Sequence, residues 1–332
     1  MKSMNLIRAF ALAVISFFTV SALKAQDVQM AILQHGDNAS AYYGTPAFGD
    51  AMKAAVKGDV ITLSAGIFTS VTIDKAVTIQ GAGYVTDVAK GRYKTVLEGD
   101  IDVSLPQDTD ETLIIEGISV HNVTIKTAII GLSISKSRIN KIDFSSTNNN
   151  CIIDKCIINR FNPERLTTNL TMKNSIIGDM YSYSSSDNSL IENCVLHIYS
   201  RENNCLKGAV IRNSIISCEI SLNITCSSYN NCFVAGDCGQ SLNQANNYSD
   251  TSTSVFGSNV VFSSLAIPNI NFTLTESAAA KYLGTDGKQV GIYGGDSPFT
   301  DVPSTPQITI KSIDSKVSNG KLNATIHVEA QN

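Results

Sequence analysis

No tryptophan occurs in the chain, so any surface that stacks against sugar rings has only tyrosine and phenylalanine to use. Charge is also scarce: Asp, Glu, Lys and Arg together make up 16% of residues, and the balance is mildly acidic at −4. That removes the electrostatic ground for binding nucleic acid or an anionic membrane surface. No Cys-x-x-Cys pair is present and the four histidines are scattered, which argues against a zinc site. Beyond the first 25 residues no apolar run reaches the roughly 20 residues that a membrane span needs.

What the N-terminus does contain is a basic head with Lys2 and Arg8, an apolar run from Ala9 to Leu23, and Lys24-Ala25-Gln26. This order predicts a secretory signal peptide, residues 1–25, cut near Ala25. No cysteine follows the run, so a lipoprotein anchor is not expected. The expected protein is secreted, periplasmic or at the cell surface, with no membrane span after cleavage. Removing Lys2, Arg8 and Lys24, and no acid, takes the formal charge from −4 to −7.

The dominant feature of the remaining chain is a repeat. It reads Ile134-Ser-Lys-Ser137, Ile153-Asp-Lys-Cys156, Met172-Lys-Asn-Ser175, Ile191-Glu-Asn-Cys194, Ile211-Arg-Asn-Ser214 and, more loosely, Ser228-Tyr-Asn-Asn-Cys232. The small residues at 137, 156, 175, 194, 214 and 232 are 19, 19, 19, 20 and 18 apart. From Cys156 to Ser214 each is followed by two aliphatics: Ile157-Ile158, Ile176-Ile177, Val195-Leu196 and Ile215-Ile216. A fixed short period with β-branched content means stacked coils, in which each coil buries its apolar face against its neighbours.

Upstream, residues 26–45 read as a short leader. Pro46 to Lys57 has helical spacing of Phe48, Ala51, Met52, Ala55 and Val56, with Gly58 as a stop. Three strand-like stretches follow, Asp59 to Gly66, Val71 to Lys75 and Ala76 to Gly83, and are expected to form one coil of a β-solenoid. The helix is expected to cover that coil's open end, since a naked strand edge invites aggregation. At the far end 301–332 read as a linker and a β-hairpin, Gln307 to Ile313 and Leu322 to Glu329 about Asn319-Gly320.

The stretch from Phe48 to Gly83 resembles the opening of right-handed parallel β-helix proteins of the pectate-lyase-like superfamily. Glu276-Ser-Ala-Ala-Ala280 and Gly284 to Gly295 resemble the closing coil of exported members, and the architecture is similar to that of secreted proteins of the Bacteroidetes. The resemblance implies an all-β fold, a right-handed single-stranded parallel β-helix over residues 46–300 with an N-terminal helical cap. It implies no single chemistry, because this fold carries lyases, hydrolases, adhesins and proteins without activity. The superfamily's hydrolase pattern has no counterpart here: there is no adjacent Asp pair, no Gly-His-Gly and no Arg-Ile-Lys.

In stacked coils, equivalent residues lie about 4.8 Å apart and form columns. Asn174, Asn193, Asn213 and Asn231 form one, at a position that suits a left-handed turn residue, and their amides are expected to bond from coil to coil as in the superfamily's asparagine ladder. Lys136 and Lys155 occupy the same column lower down. Asp154, Lys173, Glu192 and Arg212 form a second column of alternating sign, read as register-setting pairs. Cys156 and Cys194 are two coils, about 9.6 Å, apart, beyond the roughly 7 Å limit of a disulfide. These two and Cys232 are therefore expected to be free and buried. Cys205 with Cys226, and Cys218 with Cys238, differ by about one coil and could bond in an exported protein.

A few places past the small column the period gathers Lys141, Asp143, Arg160, Arg165, Asp179, Tyr181, Tyr183, His197, Tyr199 and Arg201, expected on loops along one face. As a binding groove, Arg160, Asp179, Tyr181, Tyr183, His197, Tyr199 and Arg201 would contact polysaccharide or a cell-surface glycan, the tyrosines by stacking. His197 is expected to make a surface hydrogen bond. The favoured expectation is an exported, non-catalytic β-helix that binds glycan or another surface partner and needs no cofactor or metal. The alternative is a polysaccharide lyase or glycosidase with a divergent site. Under that alternative Lys141, Arg160 and Asp179 are the catalytic candidates and Ca2+ a possible cofactor.

Overall fold

The computed structural model describes residues 29–106, 111–163, 167–180, 188–198, 208–218, 228–230, 232–235, 244–245, 247–248, 250, 252–258, 260, 269–304, 307–313 and 324–329. The chain winds into a parallel β-solenoid of about seven turns. Its coils are flattened between two long sheets. The first sheet contains Ile129–Ser135, Asn148–Asp154, Thr171–Lys173, Leu190–Glu192 and Val210–Arg212. The second contains Ser119–Ile125, Arg138–Phe144, Ile157–Asn162, Ile176–Met180, Val195–Ile198 and Ile215–Cys218. One column of the first sheet runs Ile61, Ile79, Ile115, Ile134, Ile153, Met172, Ile191, Ile211 in register. Every member is fully buried, and each such side chain stabilises the stack by about 1.5–3 kcal/mol.

Between the sheets each coil makes the turn that sets the repeat. Lys136, Lys155, Asn174, Asn193 and Asn213 all sit at positive φ, between 44° and 54°. Asparagine reaches this region at less cost than most L-residues. The next residue must be small because it is buried between coils, and its polar hydrogen returns to the carbonyl two places back. Ser175 Oγ donates to Lys173 O, Ser214 Oγ to Arg212 O, Cys156 Sγ to Asp154 O and Cys194 Sγ to Glu192 O. The serines also accept from the coil before: Cys156 N donates to Ser175 Oγ at 3.0 Å and Cys194 N to Ser214 Oγ at 3.1 Å. Cys156, Cys194 and Cys232 are free and buried as the spacing requires, and Cys151 is free and buried as well. Burial pushes the Cys156 thiol up to about 12. Cys205, Cys226, Cys238 and the Cys218 side chain lie outside the described residues, so both candidate disulfides do too.

Among the described residues the asparagine column does not form the expected ladder; Asn231 lies outside them. Asn174 Nδ2 donates outward to Ile292 O at 2.9 Å and Gly294 O at 3.0 Å, and Asn213 exchanges hydrogen bonds with Thr285. Coil-to-coil amide bonding occurs instead at a second left-handed column one turn further on: Gly131, Asn150, Asn169, Asn188 and Gly208. There Asn169 Nδ2 reaches Asn149 Oδ1 at 2.8 Å and Asn150 Oδ1 at 3.2 Å.

The outward bonds exist because residues 284–304 do not close a last coil. They run back along the solenoid, across its turns. Lys155 Nζ donates to Ser297 Oγ and Lys136 Nζ to Ser304 Oγ, each at 2.6 Å, and Ser304 N donates to Glu116. Arg92 holds Asp301 at 3.4 Å. Underneath lies a second apolar cluster, in which Ile157, Ile176, Val195 and Ile215 meet Phe272, Leu274, Tyr282, Val290 and Ile292. The repeat pairs are thus divided: Ile158, Ile177, Leu196 and Ile216 face the solenoid core, and their predecessors face the returning segment. Alternation of side chains along a strand dictates this division.

At the opening end the helix Ala47–Ala54 forms as expected, burying Ala47, Phe48, Ala51 and Met52. The residues read as a leader form a hairpin, Met30–His35 and Asn38–Tyr43, antiparallel to Val60–Leu63. Thr78–Gln80 pairs parallel with Val60–Leu63, so it starts the next coil rather than completing the first. Gln307–Ile313 and Ala324–Glu329 pair antiparallel as a two-stranded sheet.

Candidate functional site

The period brings several of the candidate residues together, on strands of the second sheet rather than on loops. Each strand bends where two successive residues point outward: His121-Asn122 lies between buried Val120 and Val123, Asn140-Lys141 between Ile139 and Ile142, and Asn159-Arg160 between Ile158 and Phe161. Asn122, Lys141, Arg160 and Asp179 therefore stand in one column. Thr124, Asp143 and Asn162 form another beside it.

At the next coil the bend changes. Ile177 pairs with Leu196 and Met180 with Ile198, so Gly178 and Asp179 face the single residue His197. This is a β-bulge, which re-aims the side chains around it. Asp179 consequently lies between Arg160 and His197, its Oδ2 3.9 Å from Arg160 Nε and its Oδ1 3.5 Å from His197 Nδ1. The side chain of Asp179 is 8% exposed and that of His197 is fully buried, while Arg160 is 50% exposed. His197 is thus not at the surface as expected but buried beside the Asp179 carboxylate, packed away by the bulge, with Arg160 at the rim. Of the three, Arg160 is the group a ligand can touch. Lys141 is paired with Asp143, which also accepts from Asn162 Nδ2 at 3.0 Å. Arg165, Tyr181, Tyr183, Tyr199 and Arg201 lie outside the described residues.

A neighbouring column carries chemistry not singled out from the sequence. Asn159 Nδ2 donates to Asn140 Oδ1 at 3.0 Å, and Asn140 Nδ2 lies 3.3 Å from His121 Nε2 and 3.4 Å from Asn122 Oδ1. His121 Nδ1 in turn lies 3.3 Å from Asp100 Oδ1. The Asn122 amide and His121 hold the Asp100 carboxyl below the usual carboxylate range. Positions 121, 140 and 159 are again 19 apart, so the signal was the period itself, applied to the strand rather than to the turn. Beside this column is a cleft of about 310 Å3 lined by Glu98, Ser119, His121, Arg138, Asn140 and Asn159.

The result is a polar face several coils long, made of amides, hydroxyls and paired charges fixed by one another. The acid and base candidates within it are either buried or already paired. The column Asp154, Lys173, Glu192, Arg212 lies on the first sheet, apart from this face, with Arg212 Nε 2.6 Å and Lys173 Nζ 3.8 Å from Glu192. Among the described residues, no group of three or more His, Cys, Asp or Glu is arranged to hold a metal ion, and no helix is long and apolar enough to cross a membrane. In comparisons with protein-family models, characterised proteins and solved structures, the chain matches none, so its membership of the parallel β-solenoids rests on its own architecture.

Proposed function

We propose that this chain is an exported, non-catalytic β-helix protein that binds glycan, or another surface partner, along the polar face of the second sheet. The observation that carries this reading is the pair of columns Asp100, His121, Asn140, Asn159 and Asn122, Lys141, Arg160, Asp179, repeated coil by coil beside the 310 Å3 cleft. A polyol chain is recognised by many fixed donors and acceptors, and side chains already ordered by mutual hydrogen bonds lose little freedom on binding. Export follows from the signal-like segment Met1 to Ala25. In affinity electrophoresis the protein should be retarded by at least one polysaccharide of a broad neutral and acidic panel. Asn140→Ala with Asn159→Ala should abolish the retardation at an unchanged melting temperature. Free migration through every gel, or a variant that is retarded as strongly as the parent, refutes the proposal.

The convergence of Arg160, Asp179 and His197 supports a second reading, a polysaccharide lyase or glycosidase in which Arg160 acts at the substrate and Asp179 and His197 position it. Appearance of an unsaturated, ultraviolet-absorbing product from a uronate polysaccharide, lost in Arg160→Ala, would favour it over simple binding. Calcium dependence of that product would bring in the metal as well.

A further inference from the structure

We infer that a second cleft, between the returning segment and the second sheet, is a binding site for a small carboxylate with an apolar body. Its volume is about 560 Å3, within the range of small-molecule sites. The floor is Ile157 and Ile176, the outward members of their repeat pairs, and Ile292 of the returning segment. Tyr293 and Phe299 add an aromatic wall, their rings edge to face with centroids 6.3 Å apart. The remaining lining is Ile270 and the polar side chains of Arg138, Asn269, Asn271 and Thr273.

Arg138 decides the ligand's charge. Its Nη2 donates to Asn269 Oδ1 at 2.8 Å, which holds the guanidinium at the cleft. Among the described residues no carboxylate pairs with it, in contrast to Arg92, Arg160 and Arg212. A guanidinium offers several N–H donors in a plane that matches a carboxylate, and such charge-assisted bonds are the strong ones. Asn271 Oδ1 is already engaged by Thr273 N at 3.0 Å and Oγ1 at 2.7 Å, which leaves the Asn271 NH2 as a further donor. A carboxylate at Arg138 and Asn271 would lay its apolar body over the isoleucines and against the Tyr293–Phe299 pair. This lining differs from that of the polar columns, so the inference stands apart from the glycan reading, although both clefts share Arg138.

The test is titration calorimetry of the full chain with 3-phenylpropionate and with its neutral isostere 3-phenylpropionamide. The carboxylate should bind roughly tenfold more tightly, the difference between a charge-assisted and a neutral pair of hydrogen bonds. In Arg138→Gln the two affinities should converge. Equal affinities in the parent protein, absence of heat with both, or a preference that survives in Arg138→Gln each overturn the inference. The comparison in the parent protein needs no variant, so a folding defect in Arg138→Gln leaves the test intact.

Discussion

Asn174 is where the turn geometry and the returning segment can be separated by experiment. Its backbone sits at φ 44° and its buried amide donates to Ile292 O and Gly294 O. Asn174→Gly keeps the left-handed turn but removes the amide. Gly294 O then loses the Asn174 donor, at about 1–3 kcal/mol if left unsatisfied, while Ile292 O keeps Phe299 N as a donor. Glycine's added freedom in the unfolded chain contributes about another 0.4–1 kcal/mol. Together these give an expected loss of about 1–4 kcal/mol in urea unfolding. Asn174→Ala suffers the same loss of donor, and adds about 1–2 kcal/mol for an ordinary L-residue in left-handed backbone. Alanine should therefore be the worse of the two despite its better general propensities. Hydrogen exchange supplies the local readout: Gly291 N–H, bonded to Asn213 O, and Phe299 N–H, bonded to Ile292 O, should lose protection in both variants. Unchanged protection and a midpoint equal to the parent's in Asn174→Gly would show that the amide holds nothing. Equal stabilities of the glycine and alanine variants would refute the account of the turn.

Two further outcomes are expected. Glu192→Lys removes the contacts to Lys173 and Arg212 and places three cations in one column. At about 0.2–1 kcal/mol per pair and a similar repulsion, it should lower stability by about 1–3 kcal/mol without changing glycan retention, and Lys173→Glu with Arg212→Glu should restore it. Burial raises the Asp154 carboxyl above its ordinary range, against the pull of Lys155, Lys136 and Lys173. A carboxyl raised in the folded state costs stability where it is ionised, and that cost is relieved as pH falls through the folded value. Asp154→Asn should accordingly be more stable than the parent near neutral pH, with the advantage shrinking on acidification in pH-dependent thermal melts. A constant advantage across that range would argue against burial as the cause.

The repeat made the solenoid legible because the same residues that mark the period also satisfy the turn: a left-handed residue, a small buried residue, an inward aliphatic. That Cys156, Cys194 and Cys232 are free follows from coil spacing alone. The returning segment was not legible, because a period along the chain carries no information on what lies across it. One sign was nevertheless present. Two aliphatics in succession on a strand cannot both face inward, so Ile157, Ile176, Val195 and Ile215 required a cover from elsewhere. The asparagine column was not legible for the same reason, since the amides of Asn174 and Asn213 serve that cover rather than the neighbouring coil. At the candidate site the column of Lys141, Arg160 and Asp179 could be counted out by period. The burial of His197 could not, because it depends on a bulge that shortens one strand by a residue, and nothing in the type of residue at 178 or 179 announces it.

The returning segment also changes how the molecule should come apart under load. A plain stack of coils frays from its end, each coil depending on its neighbours alone. Here Ser304 is tied to Lys136 across 168 positions, Ser297 to Lys155, and Thr285 to Asn213. Tension applied at residue 307 would therefore not reach the last coil first. It would peel the segment from the Lys136 end, breaking one tie at a time in the order Lys136, Lys155, Asn174, Asn213, and load the final coil after the last tie is gone. The same ties must form late in folding, since each joins residues far apart in the chain. The molecule is thus a stack that can assemble as a series of neighbours but, once complete, has to be unlaced before it can unwind.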